Sequence, residues 1–163
     1  MTRKIPKILA INPGTRYVGI AVFHGLELVE WRVKVIGEKW SKEKQRKILA
    51  LVRRFDEQYE PNFLAIKQLH RSRSSDNLNC LSRRIKQECR RNGLKVYQFT
   101  IKELEAFFLG KGRTNKNKLA QVLASKYHFL LPEFQKEQEN KNPYYFRMFE
   151  AVAIGAACAH KLS

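Results

Sequence analysis

Acidic residues are scarce in this chain. Asp and Glu number 15 against 32 Lys and Arg in 163 residues, a formal net charge of +17. Self-repulsion on that scale works against a compact state unless an anion is close by. A neutral, self-sufficient surface is thereby excluded, and a polyanionic partner is expected. Cysteine is also sparse. Cys80, Cys89 and Cys158 are odd in number and show no CxxC spacing, so a disulfide framework is excluded and reduced thiols are expected. His24, His70, His128 and His160 lack ligand spacing, so no zinc site is expected. No apolar run reaches the ~18 residues of a membrane span. Pro6 and Lys7 interrupt the start of the chain, leaving no leader-like stretch there. The expected location is cytoplasmic, with association with the nucleoid as a variant, and no membrane partner is expected.

The chain is 44% hydrophobic, enough for a folded core, and no repeat, low-complexity tract or linker divides it. One domain spanning residues 1–163 is expected. Ile8 to Asn12 reads as a short buried strand that runs into a polar residue. Pro13-Gly14 then turns the chain, and Tyr17 to Val22 returns antiparallel. Gly25 supplies a second turn, and Leu26, Leu28, Trp31, Val33 and Val35 give a third strand. Ser41 is an N-cap candidate for a helix bearing Ile48, Leu49, Leu51, Val52 and Phe55, which Pro61 stops. Asn62 to Ile66 reads as a central strand. A helix from about Asn77 to Arg91 carries the stripe Leu78, Leu81, Ile85 and Cys89, with Gly93 just beyond its end. Leu94 to Phe99 reads as a fifth strand. Thr100 caps a short helix, and Thr114 caps another with Leu119, Val122, Leu123 and Tyr127 inside. Pro132 and a charged loop precede a last helix from about Pro143 to His160. This order gives an α/β class: a mixed five-stranded sheet, antiparallel through strands 1–3 and continued by strands 4 and 5, with helices on both faces.

Cations cluster in four places. Lys39, Lys42, Lys44, Arg46 and Lys47 surround the first helix. Arg71 and Arg73 lie in the loop after the fourth strand, next to His70. Arg83, Arg84, Lys86, Arg90 and Arg91 lie away from the Leu78-Leu81-Ile85 stripe. Lys111, Arg113, Lys116 and Lys118 surround a glycine-containing loop, where backbone can approach a phosphate. Nucleic acid is the expected partner, since neutralised phosphates release condensed counterions.

Three segments together resemble the RuvC family of Holliday-junction resolvases, which have an RNase H-like fold. They are Ile8 to Arg16, Phe63-Leu64-Ala65-Ile66-Lys67-Gln68, and Arg147-Met148-Phe149-Glu150 with the Ala-rich run beyond. The resemblance spans nearly the whole chain. It implies a pocket of four carboxylates holding two divalent metals that clamp the attacking and leaving oxygens of a phosphodiester. The matched positions are Asn12, Lys67, Arg147 and Glu150. Four acids would contribute −4; here 0, +1, +1 and −1 sum to +1. Mg²⁺ binding is therefore expected to be lost or weak, with no cofactor, and Lys67 and Arg147 are expected to pair with Glu150 in place of metals. Taken singly, each of these residues is an ordinary turn or surface residue; their joint occurrence carries the reading.

The resemblance further implies nucleic-acid contacts from the loop after the fourth strand, at His70, Arg71 and Arg73, and from the region before the penultimate helix, at Lys111, Arg113, Lys116 and Lys118; the clustering of cations adds Arg83 and Arg84 as expected contacts. His70 stands where the family has an aromatic wedge. A homodimer is also implied, though five cations crowd the helix that would form its interface. The leading expectation is a RuvC-like protein that binds branched or structured DNA without metal-dependent cleavage. Two alternatives stand beside it. One is an active junction endonuclease using displaced acids such as Asp76, Glu103 or Glu105. The other is an RNA- or ribosome-associated binding protein on the same fold.

Overall fold

In a computed structural model, the described residues are all but 1–3, 38, 71, 111–115 and 141–143, and the side chains of 116, 117, 137–140, 144 and 145 are also outside the description. The strands are β1 (Lys7–Asn12), β2 (Tyr17–His24), β3 (Glu27–Val35), β4 (Phe63–Lys67) and β5 (Lys95–Phe99). The helices are α1 (Lys42–Tyr59), α2 (Asp76–Arg91), α3 (Ile101–Leu109), α4 (Lys116–Lys126), α5 (Leu131–Asn140) and α6 (Tyr144–Leu162).

The five strands form one sheet in the order β3-β2-β1-β4-β5. β1 pairs antiparallel with β2 and parallel with β4, and β4 pairs parallel with β5. Side chains alternate between faces along a strand. Ile8, Ala10, Ala21, Phe23 and Ala65 therefore pack on one side with Leu104, Leu123, Phe149 and Ile154. Leu9, Ile11, Ile20, Val22, Leu64 and Ile66 pack on the other with Ile48, Val52, Leu81 and Ile85. Thus α1 and α2 cover one face, and α3, α4, α5 and α6 the other. The expected five-stranded α/β sheet, covered on both faces, is the architecture found.

Local chemistry sets several boundaries. Ser41 Oγ accepts from Lys44 N at the start of α1, and Ser75 Oγ accepts from Leu78 N at the start of α2. Thr100 and Glu103 make a reciprocal capping box on α3. α1 ends on Glu60 in the left-handed region (φ 48°), a step before Pro61.

Three expectations need correction. Leu26 and Val35 are exposed rather than part of the strand interior. Opposite β3 the register shifts between Val22, paired with Glu30, and Phe23, paired with Leu28. Val29 is the extra residue of a bulge, which is why the inward positions pass from Leu28 to Trp31 and break simple alternation. Residues after Pro132 form α5 rather than a loop. A proline in a first helical turn removes no helical hydrogen bond, and Phe134 supplies an anchor against the core. Thr114 and Pro143 lie outside the described residues.

α6 is the central helix of its layer. Every residue from Ala151 to Ala159 is buried, most of them small. Small residues let the helix lie close to the sheet. A Cβ at Gly19 would collide with the backbone carbonyl of Arg147. Close approach at Gly19 fixes where the first turns of α6 stand over the ends of β1 and β4.

Candidate functional site

Strand parity builds the site. Asn12 shares the parity of Ile8 and Ala10, and Lys67 that of Phe63 and Ala65, so both face α6. The ladder between β1 and β4 ends at Ile11 opposite Ile66, which places Asn12 and Lys67 side by side at the strand ends. α6 lowers Arg147 and Glu150, one turn apart, onto that corner.

The four matched positions do converge. Asn12 Nδ2 donates to Glu150 Oε2 at 2.8 Å and to the Arg147 carbonyl at 3.3 Å. Lys67 Nζ donates to the same Glu150 oxygen at 2.9 Å. Glu150 and Asn12 are buried, while the Lys67 side chain keeps 19% exposure. Of the two expected pairings with Glu150, Lys67 makes its own. Arg147 takes another role: its Nη1 reaches the Pro13 carbonyl at 3.5 Å, and a Cβ on Gly14 would lie 3.3 Å from that nitrogen. The guanidinium thus lies against the turn after β1.

This arrangement is unsuited to a divalent ion. Hard cations need several anionic or carbonyl oxygens. Here one carboxylate remains, and an ammonium and an amide N–H₂ already converge on one of its oxygens. Asn12 Oδ1 is buried with no hydrogen-bond partner among the described residues, and a single amide oxygen does not replace three carboxylates. Among the described residues no group of three His, Cys, Asp or Glu stands ready to hold a metal. Two of the displaced acids have described settings. Glu103 serves the Thr100 cap, and Asp76 is exposed in the first turn of α2.

The other predicted contacts are spread around the surface. His70 is exposed, its Nδ1 2.9 Å from Ser72 Oγ. Arg73, Arg83, Arg84 and Lys118 are exposed. Arg71, Lys111 and Arg113 lie outside the described residues, and of Lys116 only the helical backbone is described. Cys89 and Cys158 are buried, and desolvation pushes both thiols up to about 12. No helix among the described residues is long and apolar enough to cross a membrane.

The family described as crossover junction endodeoxyribonuclease RuvC matches residues 8–136 of this chain. The chain belongs to the RuvC family. This RuvC-family chain matches no curated protein sequence. Among solved structures it resembles Thermus thermophilus RuvC in complex with a Holliday junction substrate, with a TM-score of 0.71 and 16% identity over 97% of this chain and 96% of that one. A second Thermus thermophilus RuvC structure gives 0.71 and 17%, covering 96% and 95%. The yeast mitochondrial Holliday junction resolvase Ydc2 gives 0.65 and 13%, covering 98% and 80%. At these identities the structural likeness shows a shared fold alone. The family match ends at residue 136, before α6, so the α6 half of the corner is carried by the fold and by the contacts above.

Sequence reasoning found the four corner residues but missed what seats Arg147. The Pro13 carbonyl and Gly14 carry no side-chain signal for it. Gly19 is also part of the corner, since its missing side chain admits α6, and a lone strand glycine was the available clue.

Proposed function

We propose that this RuvC-family chain binds branched or structured DNA, with a four-way junction as the leading substrate, and does so without metal-dependent cleavage. The observation that carries this reading is the Lys67 ammonium on Glu150 Oε2 at 2.9 Å, in the corner where the family resemblance implies metals. A fixed cation there does by covalent attachment what a recruited ion does by coordination: it neutralises the buried carboxylate. It leaves no ion to activate water or to stabilise a leaving oxygen. The net charge of +17 and the exposed cations Arg73, Arg83, Arg84 and Lys118 support a polyanionic partner. Junction DNA is favoured over RNA because the related Thermus RuvC is solved with a Holliday junction substrate.

The test is binding and cleavage measured side by side. An immobile four-way junction should be retarded equally in EDTA and in Mg²⁺, and should remain intact after long incubation with Mg²⁺ or Mn²⁺. Affinity should fall with salt at a log–log slope of about −0.9 per duplex phosphate contact. Symmetric nicks in the junction would overturn the non-cleaving reading. Tighter binding of structured RNA than of junction or duplex DNA would overturn the choice of DNA.

A further inference from the structure

A polar cavity lies on the opposite side of the sheet ends from the Asn12–Lys67–Glu150 corner. Gln68 follows Lys67, so its side chain points the other way, toward α2. Its backbone N–H donates to the Phe99 carbonyl at 2.8 Å, which ties the end of β4 to β5. Between these strand ends and α2 is a cavity of about 550 Å³. It is lined by Gln68, Asn79, Ser82, Arg83, Lys86 and Gln98, with Leu69 as its apolar member. That size falls within the range of small-ligand sites, roughly 300–1,000 Å³.

The lining has a definite chemistry. Three carboxamides, a hydroxyl and two cations face one space, and no carboxylate is among the described residues around it. Ser82 is buried. Lys86 Nζ donates to Gln98 Oε1 at 3.1 Å, and Asn79 Nδ2 donates to the Ser74 carbonyl at 3.4 Å, so two of the three carboxamides are held in place. Burial first, then the neighbouring Arg90 and Arg83, push the Lys86 amine below its ordinary value. An anion between Arg83 and Lys86 would relieve that repulsion. Carboxamides present paired donors and acceptors, the complement of a base edge.

We infer that this cavity is a binding site for one nucleotide unit, its phosphate on Arg83 and Lys86 and its base edge against the carboxamides of Gln68, Asn79 and Gln98. The unit comes from a free nucleotide or from a nucleic-acid strand that passes over the sheet ends. The second source rests on the nucleic-acid reading above; the first does not.

The experiment is a titration of ¹⁵N-labelled protein, following the side-chain NH₂ resonances of Gln68, Asn79 and Gln98. The probes are inorganic phosphate, the four 5′-deoxynucleoside monophosphates, and a short single-stranded oligonucleotide. The expected result is saturable shifts of all three carboxamides with at least one monophosphate and with the oligonucleotide, at concentrations at least tenfold below those needed for phosphate. Lys86→Gln should weaken monophosphate binding at least tenfold. Gln98→Glu should do the same while giving Lys86 an ionic partner, so a loss there is not a loss of folding; unchanged circular dichroism accompanies both. Phosphate binding as tightly as every monophosphate would overturn base recognition. The absence of saturable shifts with all probes would overturn the site. Shifts with monophosphates and none with the oligonucleotide would overturn the strand source and support a free nucleotide. A junction retardation assay run in parallel separates the two readings: monophosphate shifts without junction binding would sink the proposed function and support this site.

Discussion

Replacing Lys67 by methionine keeps most of the aliphatic stem and removes the cation from a nearly buried carboxylate. The ammonium stands 2.9 Å from Glu150 Oε2, and the Glu150 side chain is only 4% exposed. At an effective dielectric near 20, that separation corresponds to about 6 kcal/mol of gross attraction. Desolvation of both groups offsets much of it, so the pair itself is a weak stabiliser. Breaking it is another matter, because the carboxylate stays behind. Loss of one partner from a buried pair costs about 3–5 kcal/mol, and the 19% exposure of Lys67 places this case at the lower end. For a chain of this length the melting temperature falls about 2–4 °C per kcal/mol, so Lys67→Met should melt about 6–12 °C lower at pH 7. Adding Glu150→Gln to the same variant removes the charge that Lys67 balanced, and most of the loss should return. Thermal unfolding of the two single variants and the double variant closes a mutant cycle. A Lys67→Met melting point within 2 °C of wild type, or a double variant no more stable than Lys67→Met, would refute the idea that Lys67 is the counterion of Glu150.

Restoring Asn12→Asp, Lys67→Glu, Arg147→Asp and Glu150→Asp together should create a metal site, so Mn²⁺ at a hundred times its dissociation constant should stabilise that variant by about 2.7 kcal/mol, while wild type shows no shift in a thermal melt. Glu60→Gly should stabilise the protein by about 0.5–1 kcal/mol in denaturant titration, since it relieves a left-handed backbone (φ 48°) at the exposed end of α1. Of the three thiols, only the partly exposed Cys80 should react with a thiol-specific chromophore at pH 8 in the folded protein. The Cys89 and Cys158 thiols, pushed up to about 12 by burial, carry a thiolate fraction of only about 10⁻⁴ at that pH and should react after unfolding; a native stoichiometry of three would contradict their burial.

Most of the architecture was legible because it rests on local rules. Short apolar runs bounded by turn residues placed β1, β2 and β4, capping residues placed the starts of α1 and α3, and Gly93 marked the end of α2. What was hidden depends on contacts distant in sequence. The bulge at Val29 shows only when Val22 and Phe23 are seen to skip it, and the exposure of Val35 follows from its place on the edge strand. The charged residues of α5 read locally as a loop, because its one anchor, Phe134, finds its partner Phe149 only on α6. The corner was legible as a set of positions, since strand ends and a helical i, i+3 pair are local. Its geometry was only half legible. Nothing local says that Lys67 rather than Arg147 takes Glu150, because that choice depends on how closely α6 approaches Gly19.

The same geometry argues that the Asn12, Lys67 and Glu150 side chains depend on one another. Asn12 donates to the Glu150 oxygen that Lys67 also holds. An aspartate at position 12 would replace that donor with a second carboxylate, leaving Lys67 to balance two buried negative charges. A glutamate at position 67 would leave Glu150 facing a like charge where Lys67 now donates. The Arg147 guanidinium is outside this exchange: it lies on the Pro13 carbonyl and against Gly14, and only the backbone carbonyl of Arg147 meets Asn12. Aspartate there would strip the turn of a partner and add one more negative charge above the corner. Each single step toward a family-like acid therefore raises the electrostatic cost before any metal can be held, and only the full set restores a site that a cation would stabilise. The present corner is a self-consistent arrangement in which a lysine does the neutralising.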